Sequence, residues 1–199
     1  MGKTVNKTDP NEARRFVTPE FRASYLHVFK AHKIKETDTP KFSVTMLFKK
    51  TQDLSSIKLA MKHAKIDEYG PSPTDWPKAL ENPVRDGDAP EFAGKEEYKG
   101  CWVIKAWCGE DYRPGIVGPD NQEILDASEF VSGHYARAQV FCRCWEYGNK
   151  RGVHFLLDCV QKTRDGKPFT TRKSASEVFG PIAAASAAEE PASEESETF

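Results

Sequence analysis

The run HYARAQVFCRCWEY, from His134 to Tyr147, limits what this chain can become. Read with the period of two that a β-strand imposes, it separates into two unlike faces. Ala136, Ala138, Val140, Cys142 and Cys144 form one, small and apolar, suited to the tight interior of a small barrel. Tyr135, Arg137, Gln139, Phe141, Arg143, Trp145 and Tyr147 form the other. That face alternates rings with guanidinium groups and is too charged to be a core. Rings stack on nucleobases, and guanidiniums neutralise phosphates or stack as well, so the pattern points to a nucleic-acid platform. The plainer alternative is an exposed strand face with scattered aromatics.

No apolar run approaches the ~20 residues of a membrane span, and the first ten residues, MGKTVNKTDP, lack the apolar core of a secretory signal. The reading is a soluble, cytoplasmic protein without membrane association. Five cysteines, at 101, 108, 142, 144 and 159, give no even disulfide framework and suggest a reduced compartment. A zinc site built from Cys101, Cys108, Cys142 and Cys144 would need C-x-C and C-x6-C pairs in place of the usual C-x2-C. The cysteines are therefore read as small buried hydrophobes, with no metal and no cofactor.

The net charge of −1 hides an asymmetry. From Ala187 onward the chain carries Glu189, Glu190, Glu194, Glu195 and Glu197, no basic residue, and a terminal Phe199. Without these glutamates the body is net positive.

Residues 1–17 are polar and are expected to form a flexible segment. EFRASYLHVFK, from Glu20 to Lys30, reads as a first strand with Phe21, Ala23, Tyr25, His27 and Phe29 on one face. KFSVTMLFKK reads as a second, burying Phe42, Val44, Met46 and Phe48. Asp53 is a candidate N-cap for a helix of about three turns whose stripe is Leu54, Ile57, Met61 and Ala64. Residues 70–100 hold five prolines and are expected to be a long loop. CWVIKAWC, from Cys101 to Cys108, is a third strand with Lys105 and Trp107 on its wet face and Trp102, Ile104 and Ala106 inward. The run 134–147 is the fourth. Gly148-Asn-Lys-Arg-Gly152 is read as a hairpin turn carrying Lys150 and Arg151 at its tip, and VHFLLDCVQK as the fifth strand. Ser174 to Glu177 has the form of a capping box, and the Ala-, Ser- and Glu-rich stretch from residue 181 has little to bury and is expected to be disordered.

The fold class predicted is mainly β: a five-stranded OB-fold-like Greek-key barrel with one main α-helix, long loops and a disordered acidic C-terminal tail. The organisation is a flexible segment (1–17), a barrel domain (18–180) and a tail (181–199).

Ser128-Glu-Phe-Val-Ser-Gly-His-Tyr-Ala-Arg-Ala138, Tyr147-Gly-Asn-Lys-Arg-Gly152 and Val160-Gln-Lys-Thr-Arg-Asp-Gly166 resemble a family of bacteriophage-encoded single-stranded DNA-binding proteins. Arg22-Ala-Ser-Tyr25, Lys41-Phe-Ser-Val44 and Val84-Arg-Asp-Gly-Asp88 are similar to the same family, so the resemblance covers roughly residues 20–180. The closing ASEESETF resembles the acidic, Phe-ended tail of such proteins. The resemblance implies an OB-fold, no enzymatic activity, and a role coating single strands during phage replication or recombination in the host cytoplasm. Cys142, Cys144 and Trp145 depart from it, standing where more plainly aromatic or apolar residues are expected.

The candidate DNA-binding residues are Tyr135, Arg137, Phe141, Arg143, Trp145, Tyr147, Lys150, Arg151, Lys105 and Trp107. The tail residues Glu189, Glu190, Glu194, Glu195, Glu197 and Phe199 are candidates for competing with DNA and for recruiting a replicative polymerase or helicase. Homo-oligomerisation is left open. Two other classes compete. A metal-dependent nuclease would use Asp86 with Asp88, Glu96 with Glu97, or Glu110 with Asp111, though none has a recognised motif spacing. For Asp86 and Asp88 the plainer reading is a turn made by Asp-Gly. A protein-interaction adaptor would rest on the tail alone.

Overall fold

The structure, a computed structural model, describes residues 10–169. Its elements in chain order are α1 (Pro10–Arg14), β1 (Arg15–Val17), β2 (Phe21–His32), β3 (Lys41–Lys49), α2 (Ser55–Tyr69), β4 (Val84–Asp86), β5 (Cys101–Gly109), β6 (Gly115–Val117), β7 (Tyr135–Tyr147) and β8 (Lys150–Arg164). The five long strands are those the alternation predicts. They close on themselves: β2 pairs with β3, β3 with β5, β5 with β8, β8 with β7, and β7 again with β2. Every pairing in the ring is antiparallel except β5 with β8. This is the five-stranded Greek-key barrel of OB type.

Ala136, Ala138, Val140, Cys142 and Cys144 all point into the barrel and are buried. They meet Phe21, Val44, Met46, Phe48, Ile104 and Phe155 in one core, so the small residues of β7 make room for the rings of β2, β3 and β8. All five cysteines are free thiols. Burial pushes Cys142 up to about 12 and Cys108 up to about 11, which keeps them protonated and unreactive.

The helix packs Leu54, Ile57, Ala60 and Ala64 onto this core, with Met61 half-buried at its margin. It is longer than the expected three turns. Its cap is also displaced by one residue. Leu54 is the boundary residue, and Asp53 accepts a hydrogen bond from the Ser55 backbone N–H at 2.9 Å and from its hydroxyl at 2.7 Å.

Several expectations are corrected. Residues 10–17, assigned to a flexible segment, instead form a short helix and a strand that pairs with Gln139–Phe141 of β7. The hairpin turn is tighter than predicted: Tyr147 pairs with Lys150, so the turn is Gly148-Asn149 alone. In β2 the alternation breaks at a bulge between Ser24 and His27, where Tyr25 has a φ of +43°. Tyr25 is consequently exposed and Val28 takes the buried position. Residues 70–100 are not a simple loop. They contain β4, which pairs with β5, and they bury Tyr98 against Leu47 and Val103 on the outer surface of the barrel.

The Val84-Arg-Asp-Gly-Asp88 segment anchors that region. Lys50 Nζ lies 2.5 Å from Asp86 and 2.7 Å from Asp88. Asp88 also accepts from the Gly100 N–H, and Asp86 from the Asp88 N–H. Gly87 has no room for a side chain: a Cβ there would lie 2.1 Å from the Tyr98 carbonyl oxygen. The two carboxylates considered for a metal thus hold an ammonium, as a structural turn would. No helix among the described residues is long and apolar enough to cross a membrane. The capping box at 174–177 and the tail lie outside the described residues.

Candidate nucleic-acid interface

The outer face of the barrel over β3, β5 and β8 carries two neighbouring clefts. Directly opposed residues on paired strands share a face, so Ser43 with Trp107, Thr45 with Lys105, and Leu47 with Val103 form rows across it. Parallel pairing then brings β8 alongside, and the His154 ring meets Trp107 edge-on at 5.3 Å. Arg143 is paired with His154, and Trp145 with Gly152, so the end of β7 adds its outer face to the same surface.

Two clefts meet here. A cleft of about 510 Å³ is lined by Tyr25, Arg85, Phe92, Lys95, Trp145 and His154, with Lys105 and Trp107. A second, of about 790 Å³, is lined by His32, Ile34, Lys41 and Tyr147, again with Lys105 and Trp107. The shared pair joins them into one groove. Its far wall is the 78–98 region, pinned by backbone hydrogen bonds from Glu81 N–H to the Arg151 carbonyl and from Val153 N–H to the Glu81 carbonyl.

Rings and cations are interleaved along this groove. Lys41 Nζ sits 4.0 Å from the Trp107 centroid, and Lys95 Nζ 4.4 Å from that of Tyr25. His27 and His32 stack at 4.3 Å with their planes 12° apart. Neighbouring cations add to burial in setting the acid–base behaviour of the groove. His154 is pushed down to about 4 by burial first and then by Arg143 and Lys41. His27 is lowered by burial, His32 and Lys105, and Lys105 by burial and Lys41. Phosphates brought into such a groove meet concentrated positive charge, and bases meet ring faces.

The sequence-predicted residues divide. Lys105, Trp107 and Trp145 line the groove, and Tyr147 lines its far end. Arg143 and Lys150 share the strand face of Trp145 and Tyr147 through their pairing with His154 and Tyr147. The others lie apart. Tyr135 is at the opposite end of the 13-residue strand, with the Arg164 guanidinium 3.4 Å from its ring and that group bound to Glu20. Phe141 is covered by Arg14 and Arg15 at 4.9 and 5.4 Å. Arg137 donates to Gln161 at 2.8 Å. Arg151 is bound to Glu146, also at 2.8 Å, on the face opposite Tyr147. One outer face of a straight strand becomes several different surfaces once that strand wraps a barrel. Tyr25, Lys41, Arg85, Phe92, Lys95 and His154 also line the groove and are not among the sequence-predicted residues. For Lys41 the position two residues before Ser43 on the wet side of β3 was a usable signal; for the residues of the 78–98 region no periodicity marks them.

A Greek-key barrel with an aromatic and cationic groove across one face is the architecture of an OB-type nucleic-acid binder. The family model described as Enterobacter phage Enc34, ssDNA-binding protein, matches residues 14–192, and the chain belongs to that family. Among solved structures, it is similar to the single-stranded DNA-binding protein of bacteriophage Enc34 in complex with ssDNA: 22% identity over 85% of this chain and 100% of that one, with a TM-score of 0.68. A C-terminal truncation of that protein gives 24% identity over 82% and 95%, with a TM-score of 0.65. The single-stranded DNA-binding protein gp2.5 of bacteriophage T7 shares 14% identity over 86% and 98%, with a TM-score of 0.55. No curated protein matches.

Proposed function

We propose that this protein binds single-stranded DNA in the groove centred on Lys105 and Trp107, coating strands during phage replication or recombination in the host cytoplasm. The observation that carries this reading is the joining of two ring-lined, cation-lined clefts at those two residues, in a chain of an ssDNA-binding family. Bases stack on Trp107, Trp145, Tyr25 and Tyr147, while Lys41, Arg85, Lys95, Lys105, Arg143 and Lys150 meet phosphates. Stacking contributes on the order of 1–3 kcal/mol per base and accepts every base, so sequence preference is weak. The protein acts by binding rather than catalysis; Asp86 and Asp88, the carboxylates suggested for a nuclease, are engaged with Lys50.

The tail completes the proposal on charge grounds. Glu189, Glu190, Glu194, Glu195 and Glu197 imitate a phosphate run and compete weakly for the groove; DNA displaces them and frees Phe199 for a replicative polymerase or helicase. Titration of intrinsic tryptophan fluorescence with poly(dT) at two salt concentrations tests the central claim. Saturable quenching that weakens with salt is expected, and the absence of any signal change with unaltered anisotropy of labelled poly(dT) would refute it.

A further inference from the structure

The smaller cleft holds a polar element, Glu81 with Asn82, that phosphate binding does not use. Glu81 and Asn82 line the smaller cleft together with Trp107, Trp145 and His154. The backbone of Glu81 is fixed by hydrogen bonds with Arg151 and Val153 on β8. Asn82 is fixed too, because its Oδ1 accepts from the Val84 N–H at 3.0 Å, which leaves its amide N–H groups as the free donors. The Glu81 carboxylate has no hydrogen-bond or ion-pair partner among the described residues. Gly152 lets this segment lie close: a Cβ there would come within 2.9 Å of both Glu81 Cβ and Trp145 Nε1. The Glu81 side chain therefore leaves the backbone beside an indole, its carboxylate unpaired, in a cleft whose other charged lining residues are Arg85, Lys95 and Lys105.

A carboxylate repels phosphate, so its place in such a groove calls for a different partner. Carboxylates accept paired hydrogen bonds from adjacent N–H groups, and a nucleobase held on a ring face presents its Watson–Crick edge sideways. Guanine offers N1–H and an N2 amino group to a carboxylate, and its O6 accepts from an amide. Adenine and cytosine each offer one amino donor beside one ring acceptor. Thymine offers a single N3–H flanked by two carbonyl oxygens that repel a carboxylate. We propose that Glu81 and Asn82 form a base-reading pocket that prefers guanine in one position of the bound strand, in the order guanine, then adenine or cytosine, then thymine. The pocket rests on the ssDNA reading above and adds a local preference to otherwise sequence-tolerant binding.

The test uses the full chain and labelled oligonucleotides of about 15 nucleotides, within the site sizes of OB proteins. All-dT is compared with dT carrying one central dG, dA, dC or deoxyinosine, by fluorescence anisotropy. The dG oligonucleotide should bind roughly fivefold tighter than all-dT, the low end of discrimination by a bidentate contact. Deoxyinosine, which keeps N1–H and O6 but lacks the amino group, should fall between them. Glu81→Gln and Glu81→Ala should compress the ranking to within twofold, and their retained binding to all-dT would show that they are folded. Equal affinities for dG and dT in the wild type, or an unchanged ranking in both variants, would overturn the pocket alone. Failure of every oligonucleotide to bind would overturn the pocket and the ssDNA reading together.

Discussion

Lys41 places its ammonium group 4.0 Å from the centre of the Trp107 ring, on the floor that the two clefts share. The lysine arrives from β3 and the indole from β5, beside the cross-strand pair Ser43 and Trp107. A cation over one face of the ring holds the ring's orientation within the groove. Trp107→Ala should therefore weaken poly(dT) binding by about 1–3 kcal/mol, the range for a lost stacking contact. The log–log salt slope should not change, because stacking releases no counterions. Anisotropy titrations at three salt concentrations measure both quantities at once.

The cations sort by location. Lys105→Ala, Lys95→Ala and Arg85→Ala should each flatten the salt dependence by roughly 0.7, the value for one phosphate contact on a single strand. Arg137→Ala should leave the slope where it is, since Arg137 is bonded to Gln161 outside the two clefts. Arg143 is the informative contrast: it is on the same strand, six residues on, and stands opposite His154. Arg143→Ala should flatten the slope where Arg137→Ala does not.

The placement of Arg137 shows how far the sequence could be read. Alternation on β7 identifies the inward face correctly because its small residues, from Ala136 to Cys144, are consistent with a barrel interior. Alternation says nothing about which part of the outer face lies beside β5, since that depends on strand closure and on pairs such as Trp107 with Leu156. Tyr25 illustrates a second limit. The bulged residue shifts the side chains that follow it, a second irregularity comes between His27 and His32, and nothing local in Ala-Ser-Tyr-Leu announces the first. Ser43, Thr45 and Leu47 show a third. They are buried on the face opposite the core, Leu47 under Tyr98 and Ser43 and Thr45 at the base of the clefts, and that packing is a tertiary event without periodicity.

Acidification should loosen the fold through His154. Its ring is held neutral, with a folded value of about 4 against an ordinary 6.5, and its buried Nε2 has no hydrogen-bond partner. The unfolded chain binds this proton at higher pH than the folded one, so stability falls as pH drops from about 6.5 through 4. His27 and His134 are also lowered by burial and act in the same direction. The His154 contribution should be about 1–2 kcal/mol once the part of the ring open to solvent is allowed for. Urea unfolding at pH 7.5 and pH 5 measures the total. His154→Phe, which keeps the ring contact with Trp107, should reduce the difference.

On the proposed competition of the five glutamates for the groove, removing residues 187–199 should tighten DNA binding at low salt. Screening shortens the range of that competition to about 10 Å at 0.1 M salt and about 3 Å at 1 M, so the gain should fade as salt rises. Equal affinities of the full and shortened chains at low salt would refute the competition. Recruitment needs a separate measurement: loss of replication proteins from a pull-down when Phe199 alone is removed.

Gly152→Ala should separate the groove's wall from its floor. Gly152 stands opposite Trp145 on β7 and bridges to Glu81. An added methyl group would lie 2.9 Å from Glu81 Cβ, 2.9 Å from Trp145 Nε1 and 3.0 Å from the Glu81 carbonyl oxygen. Two of these atoms are held close to the backbone and cannot swing aside as the end of a flexible side chain would. Overpacking of this kind costs about 1–3 kcal/mol, relieved here by displacement of the 78–83 segment. The barrel core should survive, because Gly152 is at the start of β8 while Val153, Phe155 and Leu157 continue to fill the interior. The expected result is a folded protein with weaker DNA binding. Backbone amides of Glu81 and Val153, which bond across this contact, should exchange with solvent faster, whereas Ala106 and Val140 in the barrel stay protected. Unchanged exchange at Glu81 together with unchanged affinity would show that the wall does not depend on this close approach.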